Sequence, residues 1–491
     1  MEKPQRSPAT PPGTEPTTEP RHRSRLPRRV LLALAVGAAV LGVVWLVLPA
    51  QREAAAPDAS APGARALTAV TAGAPAALPD LAALIGDQER RLRAHPKDAR
   101  AWAVLGAAYV EQGRRTADAA DYPKADRALR TSLRLRPEAN PEALEGLAAL
   151  AVRRRDFRGA RSYAEAALKL DAKRWTTYPL LIDACDGLGD YKAAQATLDR
   201  LLKLHQGPAV KARAAAAYWD RGWREDAAAQ LSDAAAAATA PVEQAAYLEQ
   251  AGRIAFERGD LEDALRHFEA ALRLEPDQRT ALVGQGRTLA ALGRTDEALK
   301  AYHRALDERP SPEGALELGE LYQSLGMGQE ARAQYDLLRT RARQDAAAGV
   351  DDDLVLGRFE ADHADARSAV RRLRAEWQRQ PGTAVADALG WALHRAGQDK
   401  EALRFATAAT DETKGGGVRN ALYMYHRGII ERDLDQPGAA RRHLERSLRT
   451  NPFFSPLWAP RARSALEALG EPPVDEAPAG VRFPEGSGAR R

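Results

Sequence analysis

The chain of 491 residues holds one cysteine, three methionines and few aromatics, which make up 6% of it. With Cys185 alone, no disulfide can close within the chain and no cysteine-based metal site can form. β-Branched residues are sparse outside one N-terminal run. Alanine and arginine dominate, which favours helix. Chemical motifs are equally scarce. There is no phosphate-cradling glycine loop, no paired-histidine zinc helix and no glycine-flanked serine nucleophile. The run Asp351, Asp352 and Asp353 reads as a solvated helix start, favourable at the positive helix end, without calcium. The expectation is a protein that is not an enzyme, with no catalytic residues, no cofactor and no metal.

The net charge of +5 is unevenly placed. Residues 1–29 hold seven bases (Lys3, Arg6, Arg21, Arg23, Arg25, Arg28, Arg29) against three acids (Glu2, Glu15, Glu19), so the rest of the chain is near +1. No basic stripe remains to suggest nucleic acid as a partner. Val30 to Leu48 carries no charge. At roughly 1.5 Å per residue the run spans about 28 Å, close to a bilayer core of about 30 Å. It is longer than the apolar core of a signal peptide, about 7–15 residues, although Ala54, Ala55 and Ala56 offer a cleavage site. The preferred expectation is a single transmembrane helix over residues 30–48; the alternative is secretion after cleavage. Arginines crowd its N-terminal side, so the N-terminus should stay in the cytoplasm and the bulk of the chain should lie outside, on the cytoplasmic membrane. Residues 1–29 then form a disordered basic tail, residues 49–80 a flexible Ala/Pro linker, and residues 471–491 a second disordered tail.

Between the linker and the last tail the sequence repeats itself. Gly252, Gly259, Ala264, Phe268, Ala271 and Pro276 recur 34 residues later as Gly286, Gly293, Ala298, Tyr302, Ala305 and Pro310. A period of that length is one helix–turn–helix unit, and stacked units make a solenoid. The first glycine of each set allows close helix approach and the second a tight turn. The alanine marks the helix contact, the aromatic fills the layer, and the proline stops the second helix. Trp102, Leu105, Gly106 and Tyr109 repeat the opening spacing earlier in the chain. The pattern resembles the tetratricopeptide repeat (TPR) family, with the closing stretch Asn451–Pro452–Phe453–Phe454–Ser455–Pro456–Leu457 similar to the end of many of its bacterial members.

The resemblance implies an all-α right-handed superhelix over residues 81–470, with about ten repeats and a C-terminal capping helix. The first repeat carries an insertion around Arg114–Ala120, and the fourth, near 209–242, is degenerate. Cys185 falls at an inward position of the third repeat, as a buried inert thiol. His267, His303 and His443 fall beside layer-filling positions, as half-exposed packing residues. In the family the first helix of each repeat lines a concave groove that binds peptides. By register this groove presents Trp391, His394, Arg395, Tyr425, His426 and Ile429 in repeats nine and ten, and Arg253, Phe256 and Arg287 in repeats five and six. The family's carboxylate clamp is not expected, because Ala103 and Ala107 stand at its places. The implied function is a membrane-anchored scaffold for a protein or peptide partner, with envelope assembly or client presentation as the alternative.

Overall fold

The structure is a computed structural model that describes residues 61–307, 310–411 and 419–470. The expected membrane helix at 30–48 and the tails at 1–29 and 471–491 lie outside the described residues. Among the described residues no helix is long and apolar enough to cross a membrane.

The described residues form twenty-three α-helices, one 3-10 turn and no strand. Helices α1 (Pro62–Thr71) and α2 (Leu78–Ala94) lead the stack. Ten helix pairs follow. The first five are α3 (Ala99–Thr116) with α4 (Tyr122–Leu135), α5 (Pro141–Arg153) with α6 (Phe157–Leu170), α7 (Thr177–Gly187) with α8 (Tyr191–Leu204), α9 (Pro208–Asp220) with α10 (Arg224–Ala237), and α11 (Pro241–Glu257) with α12 (Leu261–Leu274). The second five are α13 (Arg279–Ala291) with α14 (Thr295–Leu306), α15 (Pro312–Ser324) with α16 (Gly328–Ala347), α17 (Asp353–His363) with α18 (Ala366–Arg379), α19 (Thr383–Arg395) with α20 (Asp399–Thr410), and α21 (Ala421–Asp433) with α22 (Pro437–Thr450). Helix α23 (Trp458–Ala468) caps the stack.

The repeat residues act as their chemistry requires. A Cβ on Gly252 would come within 2.9 Å of the Phe268 ring, and one on Gly286 within 2.8 Å of Tyr302. Gly259 and Gly293 turn the chain at φ of +81° and +76°, where a side chain is strained. Ala264 and Ala298 are fully buried. Asp98, Asn140, Asp156 and Asp190 each accept a backbone N–H as N-caps of α3, α5, α6 and α8. The degenerate fourth repeat still forms both helices, around Ala212, Ala215, Ala227 and Leu231. Cys185 is buried, and burial pushes its thiol up to about 11, which keeps it inert at neutral pH. His267 and His443 are half-buried as expected, whereas His303 is exposed and pairs with the Tyr322 hydroxyl at 2.6 Å.

One expectation needs correction. The stretch read as a flexible linker, 49–80, contains α1. Ala66 and Ala76 are buried with Leu81 and Leu84 of α2. Alanine-rich sequence next to proline and glycine resembles a tether until a neighbouring helix supplies the surface that orders it.

The superhelix winds tightly enough that successive turns touch. The insertion in the first repeat is one contact: Ala117 turns at φ of +52°, Arg115 pairs with Glu275 at 2.8 Å, Arg279 donates to the Thr116 carbonyl at 3.1 Å, and Arg341 donates to the Ala117 carbonyl at 2.9 Å. Further along, the Asp351 N–H donates to the Arg154 carbonyl and Arg154 Nε to the Ala348 carbonyl, both at 3.0 Å. Arg155 reaches Asp352 at 2.6 Å. The Thr383 N–H donates to the Tyr191 hydroxyl at 3.0 Å. Finally Asn451, fully buried, donates from Nδ2 to the Phe256 carbonyl at 2.8 Å. In each case the turn inside one repeat meets a segment four to six repeats further on.

Asn451→Ala removes the bond across the seam to the Phe256 carbonyl, which keeps only the Gly259 N–H, and takes the acceptor from the Phe453 N–H. The expected cost is about 1–3 kcal/mol of unfolding free energy, read by denaturant titration with unchanged helix content.

Candidate functional site

The first helices of repeats five to ten surround a cavity of about 480 Å³, closed at one end by the segment from Pro452 to Arg463. Its wall takes Phe256 and Glu257 from α11, Arg287 from α13, Glu317 and Glu320 from α15, Arg358 and Asp362 from α17, Asp387 and Trp391 from α19, and Tyr423 and His426 from α21. Phe453, Phe454 and Trp458 cover the end. The seam at Asn451 holds this cover against α11.

Most polar groups of the wall are paired with one another. The Trp391 indole N–H donates to Asp362 Oδ1 at 2.9 Å. The ring stacks on His426, with centroids 4.2 Å apart, and meets Trp458 edge-on at 5.9 Å. His426 Nδ1 lies 3.0 Å from both oxygens of Asp387. Arg287 grips Glu317 with two hydrogen bonds of 3.1 and 2.5 Å and lies 5.4 Å over the Phe256 ring. Burial works against the Arg287 charge, but Glu317 outweighs it and holds the guanidinium above its ordinary range. Burial raises Asp362, opposed by the hydrogen bond from Trp391. Two side chains keep their charges unspent: Glu257 and the exposed Arg358 make no side-chain hydrogen bond or ion pair among the described residues.

Four of the nine groove residues read from the sequence line the cavity: Phe256, Arg287, Trp391 and His426. Phe256, Trp391 and His426 are nevertheless almost completely buried, because they also fill the layer between helices. Tyr425 and Ile429 do not reach the cavity. They pack between layers, Tyr425 against Phe454 and Trp458, because register on a helix does not separate the groove face from the face one residue round it. His394 turns aside to Asp399 at 2.7 Å. Arg253 and Arg395 are exposed but lie outside the cavity wall. Glu317, Asp362, Asp387, Tyr423, Phe453 and Trp458 had no motif to mark them. The one available signal was the aromatic pair Phe453–Phe454 after Pro452, at a point where the repeat pattern stops.

Elsewhere, oxygens of Asp351, Asp353 and Glu376 come within 4.8 Å of one another. Arg379 sits among them, 3.0 Å from Asp351 and 2.7 Å from Asp353, so a guanidinium supplies the positive charge there.

Trp391→Ala removes a packed indole and its hydrogen bond to Asp362, which keeps only Arg395 at 3.5 Å. It should cost about 3–5 kcal/mol, seen as a large fall in Tm. Asp362→Asn keeps the acceptor for Trp391 and mimics the protonated acid. A carboxyl raised above its unfolded value of about 3.9 stabilises most at low pH, and that contribution is lost as pH rises through the folded value. The substitution should therefore leave Tm unchanged near pH 4, raise it at pH 7–8, and flatten the slope between. A slope as steep as that of the wild type would reject this assignment.

Comparison with known proteins bears on the repeats alone. The tetratricopeptide repeat family model matches residues 249–311 and 284–347. The tetratricopeptide repeat and J domain-containing co-chaperone DNJ1 of Fusarium oxysporum f. sp. lycopersici is 33% identical over 81 residues, which is 16% of this chain and 16% of that protein. Among solved structures, the human IFIT1 dimer with m7Gppp-AAAA aligns with a TM-score of 0.44 and 16% identity, covering 63% of this chain and 71% of that one. Yeast Tom70 aligns with a TM-score of 0.30 and 13% identity, covering 74% of this chain and 95% of its own. Residues 249–347 thus match the tetratricopeptide repeat model, and they lie within an all-α stack of helix pairs.

Proposed function

We propose that this chain is a non-catalytic scaffold that holds a segment of a partner protein in the cavity of repeats five to ten. The observation that carries the reading is the wall itself. Its aromatic residues are fixed by stacking and its acids and bases are mostly neutralised in pairs, so the surface is rigid before a partner arrives, which lowers the cost of binding. Phe453, 40% exposed in the segment that covers one end, and Arg358 and Glu257, which lack side-chain hydrogen bonds among the described residues, have contacts left to make. Exposed aromatics and arginine are the usual anchors of such surfaces.

The finer reading places this scaffold on the outer side of a cytoplasmic membrane, single-pass, held by residues 30–48. The uncharged run and the arginine bias before it support this. The likeness of one segment to a co-chaperone supports a second version, in which the cavity presents a client to an assembly machine.

Crosslinking in intact cells, followed by identification of the captured proteins, supplies the partner. Phe453→Ala should then weaken its binding tenfold or more, about 1.4 kcal/mol, with Tm unchanged. Unchanged binding would remove Phe453 and the segment around it from the contact. A reporter active only in the cytoplasm, fused after residue 480, should be silent; strong activity would reverse the topology.

A further inference from the structure

The first repeat carries a cleft that the interior cavity does not use. Arg127, Arg130 and Arg134 stand at i, i+3 and i+7 along one side of α4. They line a cleft of about 600 Å³ with Arg154, beyond the end of α5, and residues 346–349 at the end of α16. The cleft therefore straddles the seam between two superhelical turns. Asp126 is the one carboxylate in its lining. Arg130 Nε holds it at 2.9 and 3.0 Å, and Arg154 Nη1 comes within 3.6 Å. Arg134 donates to the Thr131 hydroxyl at 2.8 Å. The Arg127 side chain is exposed and makes no hydrogen bond or ion pair among the described residues. Four guanidiniums against one carboxylate leave a surplus of three positive charges, with several N–H donors unspent.

Guanidinium forks match phosphate oxygens in shape and charge. The three arginines of α4 extend over about 10 Å of helix, longer than one phosphate group. No aromatic side chain lines the cleft to stack a base. It is also walled on one side by 346–349, so a flat bilayer surface would meet only its rim. We propose that this cleft binds a soluble polyphosphate anion, with two or more linked phosphate groups bridging α4 and Arg154.

The test is calorimetric titration of the purified full-length chain with inorganic tripolyphosphate, alongside thermal melts. Saturable binding that raises Tm is expected, because the ligand joins two turns of the folded state. The double substitution Arg127→Ala, Arg134→Ala should weaken binding tenfold or more with helix content and ligand-free Tm unchanged. Arg404→Ala, Arg442→Ala, an exposed pair elsewhere, should leave it unaltered. Equal loss in both variants would show diffuse charge attraction and overturn the site, as would absence of saturable binding. Capture by vesicles containing phosphatidylglycerol that depends on Arg127 and Arg134, and that tripolyphosphate does not displace, would make the cleft a membrane contact instead.

Discussion

The seam between successive turns is the constraint on which the rest of this structure depends. Within a turn, alanines and leucines pack each helix pair on the next, and that packing alone would allow a range of curvatures. The seam selects one. It does so largely with backbone: carbonyls of Thr116, Ala117, Arg154, Phe256 and Ala348 accept from arginines, an asparagine or a main-chain N–H on the facing turn. Such groups are costly to bury unpaired, so the seam is favourable only when every partner is in register. The cavity and the arginine cleft both lie where the turns meet.

The interior shows how a solenoid can be closed without being filled. Arg287 with Glu317, His426 with Asp387 and Trp391 with Asp362 satisfy one another along the wall. The same device recurs nearer the N-terminus, where Arg213 sits between Asp183 and Asp186 at 2.6 and 2.7 Å. Burial still pushes Asp186 up to about 7, against the pull of Arg213, so desolvation has not been fully offset. Paired charges of this kind add little net stability. They fix the positions of the side chains along the wall.

The repeat pattern was legible because each of its residues answers a local demand. Gly252 and Gly286 sit where a Cβ would strike the ring of the following helix, and Gly259 and Gly293 turn at positive φ. The described residues form ten helix pairs and a last helix, Trp458–Ala468. The site was legible only in part. Register identified α11, α13, α19 and α21 as contributors, and Phe256, Arg287, Trp391 and His426 do line the cavity. The same register also selected Tyr425 and Ile429, because neighbouring faces of a helix differ by a rotation that the curvature of the stack decides. The helix α1 was missed because alanine does not announce which surface it will meet.

Sequence alone determined the helical unit and its length, since glycine, alanine, aromatic and proline at fixed spacing suit the close packing of a helix pair. It also placed an uncharged run at Val30–Leu48 beside an arginine-rich flank. The tertiary structure decided which segments far apart in the chain touch. The insertion at Arg114–Ala120 reads as an interruption until Glu275, Arg279 and Arg341 are seen against it. The aromatic ending reads as a cap until it is seen closing a cavity. Contacts across a superhelical turn depend on the small rotation from each repeat to the next, summed over four to six repeats. No single residue encodes that sum.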